Sequence, residues 1–223
     1  MTERRLAVGC LRGCSVLVTG GPTAVAIDDM RVITNRSTGE MGRLLANACA
    51  AAGARVTLLE GAVTTAVPLT AVKVHKFFLF DELARLLKEE LSRGYDVVIH
   101  AAAVSDFAPA RTFRGKLDSA RTLKLELKPT PKLLNVIKRQ APQALLVAFK
   151  LTSTMKGLLL RARRICLEAQ ADLVVANSLG YGSYAAFVLR QDGGVTPTVN
   201  SRRKLVKVLI SEIDRSFQDK RPV

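Results

Sequence analysis

The sequence predicts an α/β fold: a Rossmann-like, doubly wound, mostly parallel sheet with helices on both faces. Three observations carry this. Strand and helix signals alternate almost throughout the 223 residues, as repeated β-α units do. Short apolar runs such as DVVIH, LLVAF and LVVA read as buried strands. Near the amino terminus VLVTGG leads from a strand into a glycine turn and on towards a helix, the order that builds an anion site in nucleotide-binding α/β folds.

The elements follow in order. Residues 16–18 form a short buried strand, and Gly20 and Gly21 permit a tight turn with positive φ. A helix starts near Thr38, because Met41, Leu44, Leu45, Ala48 and Ala52 recur at helical spacing. Ser37 or Thr38 serves as N-cap, and Gly39 and Gly42 let another backbone or a ligand come close. A dinucleotide fingerprint runs straight from strand to helix, whereas here a polar insertion carries Arg31, Asn35 and Arg36. Two readings stay open, a seat for specific chemistry or an ordinary loop with surface charges. Residues 56–59 and 72–75 are strands, and residues 79–91 a helix with Leu83, Leu86, Leu87 and Glu90 at helical offsets. Residues 96–100 are a central strand, and residues 123–127 alternate as a half-exposed strand would. Residues 131–139 begin with proline and continue as a helix. Strands at residues 145–149 and 173–176 flank a helix at residues 155–170. Residues 185–189 and 195–199 surround QDGG as a hairpin, and residues 201–217 close the chain as a helix with Ser201 as N-cap. The simplest organisation is one domain over residues 1–223, with residues 108–127 as an excursion from the core.

Composition narrows the class. Hydrophobic residues at 48% suffice for a packed core, and no apolar run reaches the roughly 20 residues of a membrane span. The amino terminus, with Arg4 and Arg5 and a short broken apolar stretch, is a poor signal peptide. The four cysteines, Cys10, Cys14, Cys49 and Cys166, form no C-x-x-C pair, so the reading is a reduced, cytoplasmic protein without a zinc site. The net charge of +15 is dispersed, densest at Arg161, Arg163 and Arg164 and at Arg202, Arg203 and Lys204. With no Trp and 5% aromatics there is little material for base stacking, so no nucleic-acid partner is expected. Most of the charge is a solvated surface, and a minority faces an anionic ligand.

Ligands of such sheets bind at the carboxyl ends of the strands, and chemistry-bearing residues collect there. After DVVIH, the three alanines of AAAVSDF leave backbone exposed to a ligand, with Asp106 at the rim. Lys116, in GKLDS, is either a surface lysine or a loop cation that neutralises a transferring phosphoryl or adenylyl group. Pro131, in KPTPKLL, suits the first turn of a helix whose N-terminus is a second anion site. Phe149 and Lys150 stand at a strand end, where they either stack on a base and meet a triphosphate or merely pack and exit.

The ordered set VTGGPT, AIDDMRVITNRSTGEMG, AAAVSDF, GKLDS, PTPKLL, AFKL and DLVVANSLG resembles the phosphopantothenoylcysteine synthetase (phosphopantothenate–cysteine ligase) family of coenzyme A biosynthesis. The resemblance implies a standalone form, without the flavin-dependent decarboxylase domain of many bacterial members. It implies that CTP or ATP, with Mg²⁺, activates 4′-phosphopantothenate as an acyl-nucleotidylate that cysteine's amine then attacks. By the same resemblance Asn35, Arg31 and Lys116 are catalytic. Gly20, Gly21, His100, Ala101, Ala102, Asp106, Pro131, Lys132, Leu133, Leu134, Phe149 and Lys150 contact the nucleotide, and Arg36, Ser37, Thr38 and Gly39 the substrate. A homodimer is implied too. Residues 106–127 carry Phe107, Phe113 and Leu117 without an obvious core of their own. Proline follows the glycine pair, Lys132 stands where fused bacterial members carry an acid, and Thr152 stands where an acid is common, so CTP and ATP both remain open.

Two rival classes use the same features. An NAD(P)-dependent oxidoreductase would bind a ribose through Glu60, although no Tyr is followed four residues later by Lys. A nucleic-acid-binding protein would use the positive charge.

Overall fold

The computed structural model describes residues 10–120, 122–180 and 183–220. The basis for reading the amino terminus as a poor signal peptide, Arg4 and Arg5, lies outside them. The chain runs through β1 (Ser15–Gly20), a ribbon of β2 (Ala24–Ala26) and β3 (Val32–Thr34), helix α1 (Glu40–Ala51), β4 (Arg55–Glu60), β5 (Val72–Lys76), α2 (Phe80–Leu91) and β6 (Val97–His100). It continues with β7 (Phe107–Pro109), β8 (Leu127–Pro129), α3 (Leu133–Gln140), β9 (Leu145–Thr152), α4 (Leu158–Glu168), β10 (Leu173–Ser178), β11 (Ala185–Arg190) and α5 (Arg202–Lys220).

Seven strands make the main sheet, in the order β11-β10-β9-β6-β1-β4-β5. All neighbours are parallel except β10 and β11. This is the doubly wound arrangement that the alternating signals predict. Strand residues point to opposite faces in turn, and both faces are apolar. Val16, Val18, Val56, Leu58, Ile99 and Val147 pack under α1 and α5 through Leu45, Cys49, Leu205, Leu209 and Ile213. Leu17, Leu59, Val98, Leu146 and Val174 pack under α2, α3 and α4 through Leu83, Leu87, Ile137, Leu158 and Ala162. Such two-sided burial requires continuous apolar strands, which is what DVVIH and LLVAF are. Chain order reverses between β1 and β6. Their register aligns Thr19 with His100, and Gly20 lies opposite Glu60 of β4, so one edge of the sheet gathers these residues.

Several boundaries depart from expectation. Helix α1 starts at Glu40 rather than near Thr38, because Gly39 takes a left-handed φ of 75° and makes the N-cap without a side-chain bond. Helix α3 starts after Pro131, since Lys132 is still extended. The strand expected at residues 123–127 is absent. Only Leu127–Pro129 pairs, antiparallel to Phe107–Pro109. Beyond QDGG the chain returns along β11 through single bridges at Val195 and Val199 and forms no full strand. The polar insertion, read as a loop, holds the antiparallel β2–β3 ribbon. Ser201 caps α5 as expected, its Oγ accepting from the Lys204 N–H at 3.3 Å.

Candidate functional site

A cleft of about 1290 Å³ opens at the carboxyl ends of β1, β6 and β9. Parallel sheets seat ligands at this place because the strand order reverses there and the flanking loops part. Its lining brings together Gly21, Asn35, Arg36, Ser37, Thr38 and Gly39 from the first connection, and His100, Ala101, Ala102 and Asp106 after β6. Pro131, Lys132, Leu133 and Leu134 line it at the start of α3, and Phe149 and Lys150 from β9. Gly20, Arg31 and Lys116, expected in the same site, are not part of this lining.

Gly20 has a packing role. A Cβ on Gly42 would lie 2.7 Å from the Gly20 Cα, so these two glycines let α1 sit directly on β1. Gly39 is likewise filled by protein, since a Cβ there would meet the Val63 side chain at 2.2 Å. Arg31 turns its guanidinium to the Leu117 carbonyl, 2.7 Å away, and to Asp28. Lys116 lies on the exposed loop that this contact holds.

The alanine run behaves differently from the expectation of free backbone. The N–H groups of Ala101, Ala102 and Ala103 donate to Thr19 O, Thr19 Oγ1 and Gly21 O. The Ala103 carbonyl accepts from Thr23 N–H and from Asn35 Nδ2 at 2.9 Å. The run is therefore a fixed shelf of small side chains, and it anchors Asn35. One Nδ2 hydrogen and the Oδ1 of Asn35 remain for a ligand. Backbone donors come instead from two helix N-termini, since the N-cap residues Gly39 and Lys132 make no side-chain bond and both first turns line the cleft, with the Glu40 N–H given to Thr38 Oγ1 at 3.4 Å. Uncapped N–H groups with the helix dipole behind them attract anions.

His100 sits beneath the shelf, 6% exposed, its Nδ1 2.9 Å from Thr19 Oγ1. Burial pushes its pKa down to about 4, so at neutral pH it is an uncharged hydrogen-bonding group. The charged lining is lopsided. Asp106 is held by Lys132 at 2.5 Å, Glu168 by Arg164 at 2.6 Å, and Glu40 lies 3.6 Å from Arg202. Arg36, Lys150 and Arg161 have no acidic partner among the described residues, so the cleft keeps unneutralised positive charge. Arg161, Arg164, Arg202 and Asn177 were not foreseen as site residues. The first three stood out only as dense basic clusters, and only the fold carries one face of α4 and the start of α5 to the cleft. No group of three or more His, Cys, Asp or Glu suited to a metal occurs among the described residues.

The ribose-binding role weighed for Glu60 is overturned. Its side chain is 1% exposed and is taken by Arg43, with Nε to Oε1 at 2.6 Å, and by Lys76. Glu60 is a buried anchor for α1 and β5 with no face towards the cleft. None of the four cysteines is in a disulfide, and burial pushes Cys49 up to about 12 and raises Cys166.

Comparison with known proteins supports the same reading of the fold. A coenzyme A biosynthesis bifunctional protein CoaBC of Thermococcus kodakarensis is 36% identical over 219 residues, covering 95% of this chain and 54% of that protein. The chain spans about half the length of the curated relatives it matches, 50% in the Bacillus subtilis counterpart. Among solved structures, the DNA/pantothenate metabolism flavoprotein from Streptococcus pneumoniae superposes with a TM-score of 0.80 at 26% identity, over 92% of this chain and 100% of that one. A Cab2 variant in complex with phosphopantothenate-cysteine shares the fold with a TM-score of 0.75 at 20% identity, over 92% of this chain and 87% of that one. The family model for the DNA/pantothenate metabolism flavoprotein C-terminal domain matches residues 11–213, and the chain belongs to that family.

Proposed function

We propose that the cleft joins 4′-phosphopantothenate to cysteine at the expense of CTP or ATP, as a phosphopantothenate–cysteine ligase of coenzyme A biosynthesis. The observation that carries this reading is the meeting, at one strand-reversal point, of two uncapped helix N-termini and the unpaired cations Arg36, Lys150 and Arg161. That combination suits a polyanion, and both a nucleoside triphosphate and a phosphorylated acid are polyanions. The names of the relatives and the ligand of the Cab2 variant supply the substrates of the proposal.

In the first step a carboxylate oxygen of 4′-phosphopantothenate attacks the α-phosphorus. An acyl-nucleotidylate forms and pyrophosphate leaves. In the second step the cysteine amine attacks the acyl carbon, the nucleoside monophosphate leaves with the former carboxylate oxygen, and the amine gives up a proton. Negative charge builds on phosphorus and on the acyl oxygen, and fixed donors stabilise it. Asn35, braced on the Ala103 carbonyl, faces the acyl centre. Lys116 serves the first step as a loop cation at the departing phosphates, and Arg31 bears on catalysis through the Leu117 carbonyl of the same loop. Phe149 and the alanine shelf border the base. The carboxylates in the cleft are each engaged by a cation, so the residues present make no cage for Mg²⁺. A Mg²⁺ carried on the triphosphate belongs to the substrate, as is usual for this ion.

The reading includes a cytoplasmic homodimer. Phe107, Leu123 and Leu127 on the β7–β8 excursion are 53%, 42% and 44% exposed, an apolar patch that suits a second copy. Phe113 is covered in part by the Arg111 guanidinium, 4.7 Å from its ring centre. Lys116, outside the cleft of its own chain, then reaches the neighbour's site. Oxygen-18 in the phosphopantothenate carboxylate tests the chemistry. One labelled oxygen must appear in the nucleoside monophosphate, and label confined to the amide product or to inorganic phosphate would exclude the acyl-nucleotidylate.

A further inference from the structure

The loop that carries Lys116 is held by the turn between β2 and β3. The Asp28 carboxylate is buried, its side chain 0% exposed. Its Oδ1 accepts from the N–H groups of Met30 and Arg31 at 2.9 and 2.7 Å. Its Oδ2 accepts from the Leu117 N–H at 3.0 Å, while Arg31 Nη2 donates to the Leu117 carbonyl. Both backbone polar groups of the residue after Lys116 are thus gripped. On the other side, Asp29 Oδ2 accepts from the Gly115 N–H at 2.7 Å. The Asp29 N–H points back to the Gly115 carbonyl at 3.4 Å, and the Phe113 N–H donates to the Ile27 carbonyl at 2.9 Å. Lys116 stands between two clamped neighbours with its own side chain exposed and without a partner among the described residues.

We propose that Asp28 and Asp29 are positioning residues that fix the loop of residues 113–117 through the Gly115 and Leu117 backbone, so that Lys116 is presented at a set position to the reacting phosphates. The proposal rests on the ligase reading of Lys116. Ionised carboxylates accept stronger hydrogen bonds from N–H groups than neutral amides do, and a long irregular loop has no regular pairing to fix it otherwise. The Leu117 N–H, followed by those of Met30 and Arg31, holds the Asp28 carboxyl below its ordinary range, so the clamp stays charged at neutral pH.

The test is a double-mutant cycle on pyrophosphate release with phosphopantothenate and triphosphate. Asp29→Asn, at an exposed side chain, leaves folding intact; Asp28→Asn is the second probe. Each lowers kcat about tenfold with KM for phosphopantothenate unchanged, since misplacing a catalytic group acts on the transition state. In a Lys116→Gln background the same aspartate substitution costs less than twofold, and amide exchange at Gly115 and Leu117 speeds up in the single variants. Equal losses in both backgrounds, or unchanged exchange at these amides, would overturn the clamp while leaving the role of Lys116 standing. A Lys116→Gln variant that releases pyrophosphate as fast as the unaltered chain would overturn the reading of Lys116 itself, and the proposal with it.

Discussion

At the scale of single residues, the proposed reaction divides its two steps between Asn35 and Lys116. Asn35 is braced by one hydrogen bond to the Ala103 carbonyl and has a second amide hydrogen for the acyl oxygen. Asn35→Asp keeps the size, loses that donor and sets a carboxylate against a carbonyl. Loss of one such donor costs on the order of 3–4 kcal/mol in the transition state. Adduct formation falls more than pyrophosphate release, and acyl-nucleotidylate accumulates even with cysteine present, which a quench of the complete reaction measures. Lys116→Gln has the opposite profile, with pyrophosphate release suppressed and the melting temperature unchanged. His100 gives a pH signature. It is neutral in the fold, with a pKa near 4 against about 6.5 unfolded, so between these values the unfolded chain binds the extra proton. Stability from this group is therefore complete above pH 6.5 and is lost as pH falls, on the order of 1 kcal/mol per pH unit. Thermal melts at pH 7 and pH 5 show a smaller drop for His100→Asn than for the unaltered chain.

At the scale of elements, the contact of β1 with α1 decides where the first helix N-terminus sits. Gly20 and Gly42 meet backbone to backbone. Gly42→Ala pushes the helix off the strand and costs about 1–3 kcal/mol, the usual range for overpacking, readable in urea unfolding. A variant as stable as the unaltered chain would refute this packing role. The glycines of this stretch were legible in the sequence, but not what fills them: Val63 and Gly20 lie 24 and 22 residues from their partners Gly39 and Gly42. The β2–β3 ribbon escaped because three-residue strands show no periodicity, and AIDDMRV reads as a polar loop until Asp28 is seen holding the Leu117 N–H. The buried strands were legible for the converse reason, since burial on both faces leaves an apolar run that needs no partner to be recognised. Glu60 misled as a strand-end carboxylate because Arg43, which engages it, lies on the preceding helix.

At the scale of the whole molecule, the cleft draws its positive charge from the middle of α4 and the start of α5 as well as from the motif loops. The sheet order brings those helices together, and dispersed arginines in the sequence give no sign of it. The exposed Phe107, Leu123 and Leu127 predict a dimer of about twice 24.1 kDa by light scattering at micromolar concentration. Mixing an inactive Asn35 variant with an inactive Lys116 variant restores part of the activity if each site takes its lysine from the neighbour. A fully active monomer would contradict the dimer, and a dimer without complementation would place both residues in one subunit's site. Following triphosphate turnover and amide formation together, with CTP and ATP in parallel, decides whether the cleft is that of a ligase for two polyanions. Pyrophosphate appears only when phosphopantothenate is present, and the cysteine adduct forms only when cysteine is added. Folded protein that forms no adduct with either triphosphate, or that turns one over regardless of phosphopantothenate, would contradict the ligase reading.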